Sequence, residues 1–169
     1  DIPVGMKNPT SGDLAVMMNS IRAAQTAHNF IYRSCDVTTT GNPLAHAILR
    51  GGVDKYGTNI PNYHFEDLTR LCALYAESGL QNPACIVDAN HSNSGKKFRE
   101  QVRIVSEVLH SRAHNDGVRA LVKGVMVESY LVEGAQKISD HMVRGQSITD
   151  PCLGWEDTEK LLCMIADRV

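Results

Sequence analysis

Gly124-Val-Met-Val-Glu-Ser-Tyr-Leu-Val-Glu-Gly134 decides the fold. An apolar run too short for a helix delivers one carboxylate, Glu128, at its end, and a loop reaching Gly134 follows. The same arrangement occurs three times upstream. Val4-Gly-Met-Lys7 ends in a lysine, Ala45-His-Ala-Ile-Leu-Arg50 in an arginine ahead of Gly51-Gly52, and Cys85-Ile-Val-Asp-Ala-Asn-His91 in a histidine. A helical pattern lies between each run and the next. Open sheets and (β/α) barrels bind ligands at the carboxyl ends of their strands. Two cations, an imidazole and a carboxylate at four such ends suit a phosphorylated substrate held beside a metal ion.

Working outward, Leu14, Met17, Met18, Ile21 and Ala24 recur at helical spacing, with Asp13 as N-cap. Phe30–Arg33 and Asp36–Thr39 read as a strand pair around Ser34-Cys35. Leu68, Leu71, Cys72 and Tyr75 predict a second helix closed by Gly79. Ser94 is placed to cap a third, with Phe98, Val102, Val105 and Leu109 on its face. A long loop is expected from Gly134 to Gly154, and loops of that length are functional or disordered. The last helix starts near Glu156-Asp157, acids suited to its positive end, and is expected to bury Leu161, Leu162 and Ile165.

The order is therefore β-α-(hairpin)-β-α-β-α-β-α. The strands are apolar on both faces, as parallel strands covered by helices are. Strand ends recur roughly every forty residues, a little longer than the ~30 of a minimal βαβ unit. Four such units make half of a (β/α)₈ TIM barrel, whose usual length is ~250 residues. The alternative is a small open doubly wound sheet. Against it, no Gly-rich phosphate turn follows the first strand.

Composition narrows the class. A chain of 169 residues, 43% hydrophobic and 21% charged, supports one domain with a core. A net charge of -2 gives no nucleic-acid footprint, and no apolar stretch is long enough to span a bilayer. The five cysteines lack paired zinc spacing and fit reduced thiols in a cytoplasmic protein. The start at Asp1, running almost at once into a strand, has the look of a fragment or processed product.

Each candidate site residue has a bland reading beside the functional one. Lys7 is a solvated lysine or an anion contact. Arg50 is a turn arginine or a phosphate fork, with Gly51 and Gly52 letting backbone approach an anion. His91, among small polar residues in Asp88-Ala-Asn-His-Ser-Asn-Ser94, lacks the apolar neighbours of a packed core histidine; metal ligation or acid–base work fits better. Asp88 is its partner or simply ends the strand. Glu128 either stands at a barrel mouth or is buried beside a cation. Asp150, in Ser147-Ile-Thr-Asp-Pro-Cys152, is a turn aspartate or a ligand. One imidazole and two carboxylates would suit Mn²⁺, Fe²⁺, Co²⁺ or Zn²⁺.

Six motifs then stand in a telling order: Pro3-Val-Gly-Met-Lys-Asn8, Leu49-Arg-Gly-Gly52, His91-Ser-Asn-Ser94, Gly124-Val-Met-Val-Glu-Ser129, Leu131-Val-Glu-Gly134 and Ser147-Ile-Thr-Asp-Pro-Cys-Leu-Gly-Trp-Glu-Asp157. The chain resembles, from end to end, the C-terminal half of the type I 3-deoxy-D-arabino-heptulosonate 7-phosphate synthases, the transferases that open the shikimate pathway to aromatic amino acids. The resemblance covers barrel strands five to eight. It implies condensation of phosphoenolpyruvate with erythrose 4-phosphate, with a divalent ion polarising the aldehyde. It makes Lys7 and Arg50 contacts to phosphoenolpyruvate and His91, Glu128 and Asp150 metal ligands. Lys7 and His91 become the candidate catalytic residues, and Lys7, Arg50 and Asp150 the candidate substrate-binding ones.

Other parts of the family's pattern are absent. A metal-ligating cysteine and the Lys-Pro-Arg-Thr motif for the aldose phosphate belong to the first half of the barrel, which this sequence lacks. Residues 28–43 match the family's inserted hairpin, which contributes to feedback inhibition. The expectation is a half-barrel spanning residues 1–169, inactive on its own, homo-oligomeric, cytoplasmic and without membrane or nucleic-acid partners. The competing expectation is a non-catalytic half-barrel module that binds metal or phosphorylated ligands, with dimer formation as one outcome.

Overall fold

Four short runs of β-branched and small apolar residues pair side by side and fix the architecture. The computed structural model describes residues 2–169. In chain order the elements are β1 (Val4–Lys7), α1 (Leu14–Gln25), β2 (Asn29–Tyr32), β3 (Cys35–Thr38), β4 (Ala45–Leu49), β5 (Gly52–Val53), β6 (Asn59–Ile60), α2 (Phe65–Ser78) and β7 (Cys85–Asp88). They continue with α3 (His91–Ser94), α4 (Glu100–His114), α5 (Asp116–Leu121), β8 (Val122–Met126), β9 (Val132–Ala135), β10 (Gln146–Ser147) and α6 (Trp155–Ala166).

The main sheet has the order β1-β4-β7-β8, and every pair in it is parallel. Each strand lies beside the next one in the chain. Right-handed crossovers between neighbours advancing in one direction put every connecting helix on the same face. A doubly wound sheet reverses direction and covers both faces. The order is thus that of half a (β/α)₈ barrel.

Burial follows the two-residue period of the strands. Ala45, Ala47 and Leu49 of β4 and Cys85 and Val87 of β7 are all buried. They pack with Met17 and Ile21 of α1, Leu68 and Leu71 of α2, and Ile104, Val105 and Val108 of α4. The opposite face carries Gly5, His46, Ile48, Ile86 and Gly124. A Cβ at Gly5 would meet the end of the Ile48 side chain, which fills that space.

Local chemistry sets the helix ends. Asp13 accepts from the amides of Ala15 (2.8 Å) and Val16 (3.3 Å), as an N-cap should. Gly79 closes α2 in the left-handed conformation (φ 63°). At the amino end of the sheet, the Tyr75 hydroxyl accepts from the Ala47 amide (3.1 Å) and donates to the Ala84 carbonyl (3.0 Å). That stitches β4 to the residue entering β7, and burial pushes the phenol up to about 12.

Some expectations need correction. Ser94 ends the short helix α3 and caps nothing; α4 starts only at Glu100, past a left-handed Gly95. In α6, Leu161 is buried but Leu162 is 55% exposed, because Thr158, Leu161 and Ile165 form the inward stripe one position round the helix. The segment 134–154 is not structureless: β9 and β10 pair in parallel, and Gly134 and Cys152 exchange both backbone hydrogen bonds (2.9 and 3.1 Å). The small antiparallel pair of β5 with β6, and the helix α5, also escaped the sequence reading.

Candidate metal and anion site

The carboxyl ends of the four strands are laced together by buried amides. Asn8, just past β1, accepts from the Arg50 amide (2.9 Å) and donates to the Gly51 carbonyl (2.8 Å). Asn93 donates to the carbonyls of Leu49 (3.2 Å) and Asp88 (2.8 Å), and so ties β4 to β7. Gly51 (φ 73°) and Gly52 have a different use from the one expected. A Cβ at Gly51 would lie 2.7 Å from the Asn93 amide nitrogen, and one at Gly52 would lie 2.7 Å from the Gly12 Cα. Their missing side chains make room for neighbouring protein backbone.

Asp88 is the hub. It is fully buried, and one oxygen, Oδ2, meets both Lys7 Nζ at 2.8 Å and His91 Nδ1 at 2.9 Å. Oδ1 accepts from the Asn90 amide (3.0 Å). Burial is the largest single influence and pushes the carboxyl pKa up. Together Lys7, His91 and the Asn90 amide outweigh it and hold the group below its ordinary value. The His91 Nδ1 contact is short but poorly aligned. By strict hydrogen-bond geometry this nitrogen is the one buried side-chain polar atom without a partner among the described residues.

His91 opens α3 with φ 49°, a left-handed conformation rare outside glycine and asparagine. That backbone turn, with Nδ1 against Asp88, aims Nε2 at two carboxylates: Glu128 Oε1 at 3.4 Å and Asp150 Oδ2 at 3.8 Å. Strained backbone is a feature of functional sites. Glu128 stands two residues past the end of β8. Asp150 arrives from the far side of the 134–154 segment, delivered by the Gly134–Cys152 pairing and by Leu153, whose amide donates to the Glu128 carbonyl (3.0 Å).

One ligand atom from each of His91, Glu128 and Asp150 lies within 4.8 Å of the others, and all three side chains are half-buried. Metal bonds of about 2.1 Å require donors roughly 3–3.5 Å apart, and the two carboxylate oxygens stand 3.4 and 3.8 Å from His91 Nε2. An imidazole whose other nitrogen faces a carboxylate is the usual setting of a metal-bound histidine. The donor set therefore fits a divalent cation. Lys96 Nζ contacts the other oxygen of Asp150 at 3.2 Å.

The structure thus joins Lys7, His91, Glu128 and Asp150 into one connected group. Arg50 stands at the end of β4, half-buried, and is fastened through its backbone to Asn8. Among the described residues, no hydrogen bond or ion pair joins its guanidinium to that group. The sequence reading missed Asn8, Asn90, Asn93, Lys96 and Gln101. Gln101 alone gave a signal: it is a polar residue on the stripe that α4 buries.

Residues 1–163 match the DAHP synthetase I family. A phospho-2-dehydro-3-deoxyheptonate aldolase of Haemophilus influenzae is 41% identical over 98% of this chain and 45% of its own length. A Trp-sensitive enzyme of the same name from Escherichia coli K12 is 38% identical over 99% of this chain and 47% of its own. The structure of the Francisella tularensis aldolase superposes with a TM-score of 0.86 at 30% identity, covering 99% of this chain and 48% of that one. The chain spans about half the length of the relatives it matches. With motifs, strand order and donor cluster in agreement, the chain belongs to the DAHP synthetase I family of transferases.

Proposed function

We infer that this chain is the C-terminal half-barrel of a synthase that condenses phosphoenolpyruvate with erythrose 4-phosphate, giving 3-deoxy-D-arabino-heptulosonate 7-phosphate and inorganic phosphate. The observation that carries the reading is the convergence of His91, Glu128 and Asp150 beside the Lys7–Asp88 pair, all at the carboxyl ends of the strands.

In this reading Lys7 and Arg50 hold the phosphate and carboxylate of phosphoenolpyruvate. The Lys7 ammonium is aimed by its 2.8 Å contact with Asp88. Arg50 offers a planar fork suited to an anion with several oxygens. His91, Glu128 and Asp150 would hold a divalent ion, with Mn²⁺, Fe²⁺, Co²⁺ and Zn²⁺ all compatible with the donors. When bound, such an ion supplies Lewis-acid polarisation of the aldehyde oxygen. Asp88 fixes the face that His91 presents, and Asp150 extends the site towards the aldose.

Joining this chain behind the first half of the Haemophilus influenzae relative tests the assignment. The chimera should form product from both substrates with added Mn²⁺, and Arg50→Ala and His91→Ala should each remove most of that activity. The isolated chain should show no turnover. A folded chimera that binds Mn²⁺ and phosphoenolpyruvate yet yields no product would overturn the assignment.

A second reading is supported by the two unpaired edges of the sheet, β1 and β8. It is a non-catalytic half-barrel that binds metal or phosphorylated ligands as a dimer. Metal binding by an isolated, dimeric chain that leaves the chimera inactive would favour it.

A further inference from the structure

We propose that Gln101 is a positioning residue for Glu128: its buried amide clamps the Glu128 backbone and thereby sets where the carboxylate meets His91 and Asp150. The proposal rests on the reading of Glu128 as a metal ligand.

The geometry is reciprocal. Gln101 Nε2 donates to the Glu128 carbonyl (3.0 Å), and the Glu128 amide donates to Gln101 Oε1 (2.8 Å). Both bonds of one residue go to one side-chain amide, as they would go to a facing strand in a hydrogen-bonded antiparallel pair. Among side chains only an asparagine or glutamine amide offers a donor and an acceptor side by side in this way. Gln101 is fully buried, so water is not at hand to replace it.

The clamp is mounted on a rigid support. Gln101 lies in the first turn of α4, a helix anchored through Ile104, Val105 and Val108 in the core. Glu128 lies past the last residue of β8, where ladder pairing has ended. Its carbonyl also accepts from the Leu153 amide (3.0 Å), which binds the strand end to the segment bearing Asp150. Gln101 therefore fixes a junction on which two of the three donors depend.

The carboxylate is held separately. Asn90 Nδ2 donates to Glu128 Oε2 (2.8 Å), which leaves Oε1 as the oxygen facing His91 Nε2. Asn90 is itself held by Ser94, whose hydroxyl donates to Asn90 Oδ1 (2.8 Å). Backbone and far oxygen are both tied, so the position of Oε1 is set before any ligand arrives.

The test uses the full chain with Co²⁺ alone as probe, following affinity and the visible absorption of the bound ion. Gln101→Met keeps the length of the side chain and removes the amide. It should weaken Co²⁺ binding about 10–100-fold, as loss of a supporting residue around a metal typically does, and change the absorption band. In the metal-free protein it should speed hydrogen exchange at the Glu128 amide. Gln101→Glu, which keeps only the acceptor, should give an intermediate loss and serves if Gln101→Met does not fold. Tyr75→Phe destabilises the far end of the sheet and should leave affinity and spectrum alone. Wild-type Co²⁺ affinity and spectrum in a folded Gln101 variant would overturn the proposal, as would an equal loss in Tyr75→Phe. A wild-type chain that fails to bind Co²⁺ would overturn the metal reading and the clamp's purpose with it.

Discussion

Lys7 Nζ and Asp88 Oδ2 meet at 2.8 Å across 81 positions of sequence, and an entire strand, β4, lies between the strands that carry them. Neighbouring strands are about 4.8 Å apart, so the lysine stem, the aspartate side chain and their contact together bridge roughly two such spacings along the uncovered face. The pair is a tie over the middle of the sheet, made at the end where ligands bind.

Replacing Lys7 by methionine should lower stability by about 1–3 kcal/mol, the cost of taking a partner from a buried acceptor. The lower end is expected, since the Asn90 amide and His91 remain with Asp88 and Lys7 is partly solvated. Urea denaturation of wild type and Lys7→Met measures it. No change in midpoint would mean that the ion pair is not formed in solution.

Divalent metal should stabilise the chain, and His91→Ala should remove the effect. A ligand at a hundredfold excess over its Kd adds about 2.7 kcal/mol. Thermal melts with Mn²⁺, with and without a chelator, should show an upshift for wild type alone. An equal upshift in the alanine variant would place the ion elsewhere.

The four parallel strands and their end residues were legible because each apolar run stops at one charged or imidazole-bearing residue. The hairpin was legible to within one residue, as β2 and β3 show. The order inside 134–154 was not, because it comes from Gly134 pairing with Cys152, a backbone match that side-chain identity does not encode. Nor was the Lys7–Asp88 tie, which needs the sheet order first. Asp150 was ambiguous in the residues themselves, and the family resemblance singled it out; its Oδ2 lies 3.8 Å from His91 Nε2. The expected freedom of Leu49-Arg-Gly-Gly52 for an anion missed the competing claim of Asn93 and Gly12 on the same space.

Self-association should follow from the open sheet. β1 and β8 are its two edge strands, and unpaired edges invite pairing with another chain. On the face opposite the helices Ile86 is only half-buried, while Ile48 beside it is covered. Sedimentation velocity over a range of concentrations should show a dimer, twofold closure being the commonest arrangement. A single monomer boundary throughout would mean that the chain protects its own edges.

Thiol reactivity should separate the five cysteines. Cys35 and Cys163 are exposed, whereas Cys85 is buried and its thiol is pushed up to about 12 by burial, so that it stays protonated at any working pH. Burial also raises the thiols of Cys72 and Cys152. At pH 8 an aromatic disulfide reagent should titrate two thiols rapidly in the native chain and all five after denaturation. Rapid reaction at Cys85 would contradict the packing of β7.

The Tyr75 hydroxyl fastens β4 to the entrance of β7 at the end of the sheet away from Lys7, His91 and Glu128. The two rims of the sheet therefore answer to different demands. Changes around Tyr75 alter how firmly the strands are held while the donor geometry stays put, so natural drift or a protein engineer can adjust thermal tolerance there at little risk to chemistry. At the rim of Asn8, Asn93 and Gln101, the residues that hold the strands together also aim the ligands, and firmness and reactivity must change together.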